Sequence, residues 1–184
     1  NLFPPEYSYP TGHLADLVGD GRTHLAMIGN NSVRLYTNLG EDNGFSIGRD
    51  VPHKDDALPQ PRNSQTQVVG FSDVLGSGKQ HLFRIRHNSL ECWPNLGHGR
   101  FGKKILLSTP TFLYEAFNAS RVLLADLDGS GAADLICLES DCFRVFMNQC
   151  GKGFAKQSID IPWPEGVRYD NLCQVTIADL LGLG

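Results

Sequence analysis

The sequence predicts an all-β protein, and within that class a β-propeller fragment of about three four-stranded blades plus the start of a fourth. Three observations support this prediction: a turn motif that recurs along the chain, two further markers that keep its register, and four short β segments in each repeat. The chain has 184 residues, of which 41% are hydrophobic and 20% charged. This composition is typical of a folded domain.

The recurring turn reads D-x-x-G-x-G. Its four copies lie 57, 53 and 53 residues apart and begin at Asp16, Asp73, Asp126 and Asp179. An asparagine follows each of the first three aspartates by 22 residues, at Asn38, Asn95 and Asn148. A phenylalanine follows them by 28 or 29 residues, at Phe45, Phe101 and Phe154. Three markers in one register indicate a true internal repeat.

Each repeat contains four short β segments separated by turn-forming residues. The first is an apolar run that leads into the aspartate, as at residues 68–71. The second follows the glycine-rich turn (81–85), and the third alternates (90–93) and is followed by the corner that begins at the asparagine. The fourth is expected to begin at the phenylalanine. A period in the fifties with four strands per unit is typical of a propeller blade.

The repeats predict one propeller domain over residues 1–184, with units at about 10–60, 65–115 and 120–170 and a truncated unit from 174. Closed propellers have about four to eight blades. A chain with three units is therefore expected to be a piece of a longer polypeptide. Residues 111–117 are the segment in which a short helical turn is expected.

Charge and motifs argue against several classes of function. The net charge is −4 and no Lys/Arg block occurs, so neither nucleic acid nor an anionic membrane is an expected partner. No apolar run is long enough for a membrane-spanning helix. Five cysteines cannot form a complete set of intrachain disulfides, so we expect buried thiols and synthesis in a reducing cytoplasm. No motif of a nucleophile or a catalytic metal is present, and an enzyme is not expected.

The third turn offers oxygen atoms at alternating positions, as calcium-binding loops do. The candidate ligands are Asp126, Asp128, Ser130, the carbonyl of Ala132, and Asp134. In the other reading, the leading aspartate only caps the turn through backbone N–H groups. The sequence leaves both open for one Ca²⁺ site. His24 and His81 occupy the register position of Asp134, which favours side chains that brace the turn over a pH switch.

Two loops interrupt the regular repeat and are candidates for partner binding. Residues 50–62 are charged and proline-rich, and residues 109–120 carry Phe112, Tyr114 and Phe117. The aromatic loop is the better candidate, because aromatic anchors dominate the energetics of interfaces. The alternative is that its aromatic rings pack between adjacent blades.

The units are similar to FG-GAP and VCBS-type propeller repeats, and several longer stretches carry a closer resemblance. Residues 71–82, 92–102, 124–136, 164–170 and 177–184 resemble the middle region of the B component of bacterial insecticidal toxin complexes, the SpvB/TcaC-type family. These stretches occur in the same order as in that family.

The resemblance implies a function without catalysis. In that family the B component joins a C component to form a hollow shell around a toxic enzyme. Its propeller docks on the pore-forming A component and gates the passage of the toxin. The chain would then be secreted as part of the complex, without inserting into a membrane itself. A general adhesion or surface-binding propeller, as in other FG-GAP proteins, is the alternative.

Overall fold

The computed structural model describes residues 12–18, 20, 22–59 and 64–164. The truncated fourth unit, with Asp179, lies outside these residues. The described part contains fourteen strands and a short 3₁₀ turn at Ala119–Arg121. None of its helical segments is long and apolar enough to cross a bilayer. The predicted all-β fold of a propeller fragment is confirmed.

The strands form three antiparallel four-stranded sheets in chain order, which we call the first, second and third blades. The first contains β1 (Gly12–Ala15), β2 (His24–Ile28), β3 (Ser32–Tyr36) and β4 (Arg49–Pro52). The second contains β5 (Val68–Ser72), β6 (His81–Arg86), β7 (Ser89–Trp93) and β10 (Ile105–Leu107), with a small hairpin of β8 (Asn95–Gly97) and β9 (Arg100–Phe101) before β10. The third contains β11 (Val122–Ala125), β12 (Asp134–Leu138), β13 (Cys142–Phe146) and β14 (Ile159–Pro162).

The expectation that the marker phenylalanine begins the fourth strand was wrong. In each blade the phenylalanine pairs back with the marker asparagine, and the outer strand begins four or five residues later. The pairs are Asn38 with Phe45, Asn95 with Phe101, and Asn148 with Phe154. Because Phe101 and Phe154 are buried, the phenylalanine of these two blades anchors a corner in the core.

Adjacent blades pack face to face because successive side chains of a strand point to opposite faces. On β6, Leu82 joins the cluster between the first and second blades, which also holds Leu35 and Trp93. Phe83 and Ile85 join the cluster between the second and third blades. The residues of a single strand therefore contribute to two separate cores.

The described cysteines are free thiols, as expected from their odd number. Cys92 and Cys137 are buried between the second and third blades, and burial raises the pKa of each to about 12. They serve there as small apolar side chains. Cys150 differs because it is exposed.

Backbone hydrogen bonds join the second and third blades directly. The N–H of Phe154 donates to the carbonyl of Ser108 (2.7 Å), and the N–H of Ala133 donates to that of Asp73 (2.9 Å). Gly153 makes this approach possible. Its φ is +118°, and a Cβ at this position would lie 2.2 Å from the carbonyl oxygen of Ser108.

We expect Gly153→Ala to destabilise the fold far more than Gly131→Ala. Both glycines have positive φ, but a Cβ at Gly131 would meet nothing within 4 Å. Backbone strain alone should cost about 1 kcal/mol at Gly131. The added clash at Gly153 should raise the loss to about 3 kcal/mol or more, since backbone cannot move aside cheaply. Urea unfolding of both variants measures the difference, and equal losses would contradict this account of the interface.

Candidate functional site

Each of the three repeats contains the same hydrogen-bonded unit, which we call the corner node. It consists of the ninth residue of the turn, the marker asparagine, and the glycine two or three residues after that asparagine. In the third blade the N–H of Asn148 donates to Oδ1 of Asp134 (2.7 Å). Nδ2 of Asn148 donates to the carbonyl of Ala133 (2.9 Å), and its Oδ1 accepts from the N–H of Gly151 (2.8 Å). The node thus ties the turn to the corner.

Histidine replaces the carboxylate in the other two nodes. The N–H of Asn38 donates to Nδ1 of His24 (3.0 Å), and that of Asn95 donates to Nδ1 of His81 (2.8 Å). Both imidazole rings are buried. His24 and His81 therefore brace the turn by binding the corner backbone. The node of the third blade also reaches across to its neighbour, because Nδ2 of Asn148 donates to the carbonyl of Val74 (2.8 Å).

The leading aspartates of the second and third turns are caps. Oδ1 and Oδ2 of Asp73 accept from the N–H groups of Ser77 (3.0 Å) and Gly78 (2.7 Å). Oδ1 and Oδ2 of Asp126 accept in the same way from the N–H groups of Ser130 (3.1 Å) and Gly131 (2.8 Å). Because the second turn lacks the other carboxylates, capping does not depend on a metal.

The predicted calcium ligands come together in the third turn. Asp126, Asp128 and Asp134 each offer a carboxylate oxygen, and these oxygens lie within 4.8 Å of one another. The hydroxyl of Ser130 and then its N–H hold the pKa of Asp128 below its ordinary value. Ala132 lies in the same loop and is buried.

The buried carboxylate of Asp134 is already hydrogen-bonded but can still contribute to a cation site. Asp134 is fully buried, and its two oxygens already accept from the N–H groups of Leu127 (2.9 Å) and Asn148 (2.7 Å). Each carboxylate oxygen has a second lone pair, so these bonds leave room for a cation. The donor set of oxygen atoms is that of Ca²⁺. The calcium expectation stays a prediction.

A second cluster of possible metal ligands was missed from the sequence. Asp16, Asp20 and His24 offer atoms within 4.8 Å of one another, and the aspartate at position five was the available signal. The Nδ1 atom of His24 accepts an N–H, so the neutral ring carries its proton on Nε2, which faces Oδ1 of Asp20 (2.9 Å). Such a ring has no lone pair left for a metal. The N–H of Arg22 and then His24 lower the pKa of Asp20.

The three aromatic residues of the second loop lie in different surroundings. Phe112 packs edge-on against Phe146 (5.6 Å between ring centroids), and Phe117 lies against Phe112 (5.8 Å). These two rings are half-buried between the second and third blades, as the packing alternative states. Tyr114 is 60% exposed and Leu113 is 76% exposed. Leu113 was missed, because nothing in the sequence separates it from a buried loop residue.

The loops fall on two rims of the blades. The corner rim holds the D-x-x-G-x-G turns and the marker asparagines. The linker rim holds the described parts of the segments that connect blades and the turns between the second and third strands. The N–H of Phe112 donates to the carbonyl of His87 in such a turn (2.7 Å), and that of Leu58 donates to Asn30 (3.0 Å). The described parts of both candidate loops therefore belong to the linker rim, away from the metal candidates.

Three face-packed antiparallel sheets with repeated corner nodes define a protein of the β-propeller type.

No protein-family model and no curated protein matches the chain. Solved structures do. A chain of the Tc holotoxin pore of Photorhabdus luminescens is 44% identical, with a TM-score of 0.86 over 97% of this chain and 8% of that chain. A chain of the TcdB2–TccC3 crystal structure is 41% identical, with a TM-score of 0.65 over 100% of this chain and 9% of that chain.

The chain is thus similar, over nearly its whole length, to a segment of a Tc toxin complex component, and it spans about a tenth or less of the chains it matches. A lectin of Agrocybe aegerita, which recognises N-acetylglucosamine, is 19% identical with a TM-score of 0.62. The match covers 82% of this chain and 37% of the lectin chain. At this identity the likeness is one of fold.

We expect Asn148→Ala to cost more stability than Asn38→Ala. Removing the buried Asn148 amide leaves two carbonyls without this donor and the N–H of Gly151 without its acceptor. Unsatisfied buried groups cost about 1–3 kcal/mol each, so a loss of about 3 kcal/mol is expected. Asn38 is half-exposed, so water can replace its amide at about 1 kcal/mol. Urea unfolding of the two variants tests this order, and a reversed order would contradict the role of the node.

Proposed function

We propose that this chain forms part of the propeller module of a toxin-complex B component and that it acts by binding rather than by catalysis. The observation that carries the proposal is 44% identity over 97% of the chain with part of a Tc holotoxin pore. In this proposal the module docks on the pore-forming A component and gates the passage of toxin. The parent protein would join a C component in an extracellular complex.

The linker rim is the docking surface in this proposal. Leu113 and Tyr114 expose apolar surface there, and the ring of Tyr114 stands edge-on to His87 at 5.3 Å. Their loop is held to the blades by Phe112 and Phe117. An exposed aromatic on a rigid support loses little conformational entropy when a partner covers it.

The double substitution Leu113→Ser with Tyr114→Ser tests this surface in a full-length B component that carries this segment. We expect association with the A component to weaken by about thirtyfold or more, as for loss of a central apolar anchor. Biolayer interferometry with the purified A component measures the affinity.

The matched control is Leu39→Ser with Leu96→Ser, which removes two exposed leucines from the corner rim. This variant should bind the A component as tightly as the wild type. Full binding by the linker-rim variant would exclude that rim as the docking surface. A parent that never associates with a pore-forming partner would exclude the toxin role itself.

We also propose that the third turn binds one Ca²⁺ ion. The support is the approach of three carboxylates to within 4.8 Å, in a loop whose oxygens alternate as in known calcium loops. When bound, the ion would offset the negative charge of Asp126, Asp128 and Asp134 and so reduce the repulsion between their carboxylates. The corner node would keep its hydrogen bonds, because each oxygen can accept more than one partner.

Titration calorimetry should detect a single calcium equivalent, and millimolar calcium should raise the thermal midpoint by mass action. Asp128→Asn should abolish both effects, because it removes a charged ligand that caps no buried group. Asp20→Asn in the first turn is the control and should leave both unchanged. The absence of heat and of a thermal shift at millimolar calcium would leave capping as the role of these aspartates.

A further inference from the structure

The node of the second blade depends on one protonation state of His81. This ring is 2% exposed, and its Nδ1 lies 2.8 Å from the backbone nitrogen of Asn95. A backbone N–H can only donate, so Nδ1 must be the acceptor. The neutral ring therefore carries its proton on Nε2, which lies 2.6 Å from the hydroxyl of Ser77.

Protonation of His81 reverses the role of Nδ1. Both nitrogens of an imidazolium ion are donors. The Nδ1–H group would then face the N–H of Asn95, and a buried hydrogen bond would become a contact between two donors. Either the corner that begins at Asn95 would have to move, or the ring of His81 would have to leave its buried site.

That corner forms one side of the interface between the first and second blades. A Cβ at Gly99 would lie 3.3 Å from both Leu35 and Val51, so the corner backbone packs tightly on the first blade. The guanidinium of Arg49 donates to the carbonyl of His98 (3.1 Å). Phe101, at the end of the corner, is buried in the shared cluster. Movement of the corner would therefore loosen this interface.

Few charged groups among the described residues face His81. Oδ1 of Asp73 lies 3.6 Å from its Nε2 but already accepts the backbone N–H of Ser77, and Lys79 belongs to the same turn. On β7, the buried thiol of Cys92 has a pKa of about 12 and is neutral. From the first blade, the backbone N–H of Asp16 donates to the side chain of Gln80 (3.2 Å), next to the ring.

The balance of these surroundings disfavours the charged ring. Burial lowers the pKa of His81, Lys79 acts in the same direction, and Asp73 opposes them. The unfolded chain then binds more protons than the folded one as the pH falls below about 6.5. The contribution of His81 to stability is present above that pH and is lost progressively below it.

We propose that the corner node of the second blade is an acid-sensitive latch on the interface between the first and second blades. The latch is closed while His81 is neutral and opens when Nδ1 is protonated. The node of the third blade behaves differently, because Asp134 accepts the N–H of Asn148 without any ring tautomer.

Amide hydrogen exchange of the full chain at about pH 7.5 and pH 5.0, followed by NMR and corrected for intrinsic rates, tests the latch. In the wild type, protection of the Asn95 amide should fall by about tenfold or more on acidification, because pH 5.0 lies about 1.5 units below the ordinary pKa of histidine. The Asn148 amide should keep its protection. His81→Asp, which copies the third blade, should keep Asn95 protected at both pH values. His98→Asn, a change at an exposed corner histidine, should behave as the wild type.

Unchanged protection of Asn95 in the wild type at pH 5.0, or the same loss in His81→Asp, would overturn the proposal. If His81→Asp does not fold, the ring ¹⁵N shifts of wild-type His81 decide. The latch requires the Nε2–H tautomer at pH 7.5 and a ring pKa below the ordinary value of about 6.5. The Nδ1–H tautomer at pH 7.5, or a ring pKa at or above that ordinary value, would overturn it.

Discussion

One buried acceptor at the ninth position of each turn fixes the geometry of the blade around it. It receives the N–H of the marker asparagine, whose side chain then bonds the turn and the corner glycine. This bond explains why the interval from aspartate to asparagine is 22 residues in all three units, although the repeat length varies between 57 and 53. The second and third strands must bring the asparagine back to the start of the hairpin, so the hairpin of the two strands and their turn keeps one length, at residues 24–36, 81–93 and 134–146. The segments that connect blades close no such bond and can vary.

Histidine and aspartate both accept the N–H of the marker asparagine at this position, histidine through a ring nitrogen and aspartate through a carboxylate oxygen. A buried carboxylate is costly unless hydrogen bonds satisfy it, and Asp134 receives two backbone N–H groups. A buried imidazole avoids the cost of charge but must hold one tautomer, which Ser77 supports at His81. The shape of the corner is thus common to the blades, while its response to protons is a property of each blade. Shape follows from the hydrogen-bond pattern, and the response follows from the residue that supplies the acceptor.

The sequence predicted the blades well because each repeat carries the same turn and the same order of short apolar segments. It misplaced the outer strand, because the marker phenylalanine has the composition of a strand residue but pairs back with the asparagine. It also left open which residues of the aromatic loop are buried. That loop has no period, and the burial of Phe112 depends on Phe146, which the following blade provides. The convergence of Asp126, Asp128 and Asp134 and the capping by Asp126 were both readable from the sequence, whereas the backbone bonds that Asp134 accepts required the structure.

The two rims differ in what they can offer a partner. Polar groups of the corner rim are largely engaged within the protein, in caps such as Asp73 and in the nodes, so a partner that bonded them would first have to displace internal bonds. The linker rim anchors its loops through backbone bonds and leaves side chains such as Leu113 and Tyr114 in solvent. Changes there need not disturb the spacing that the nodes impose. The same constraint that keeps the blades in register therefore leaves the linker rim as the face where exposed side chains can change without loss of the fold.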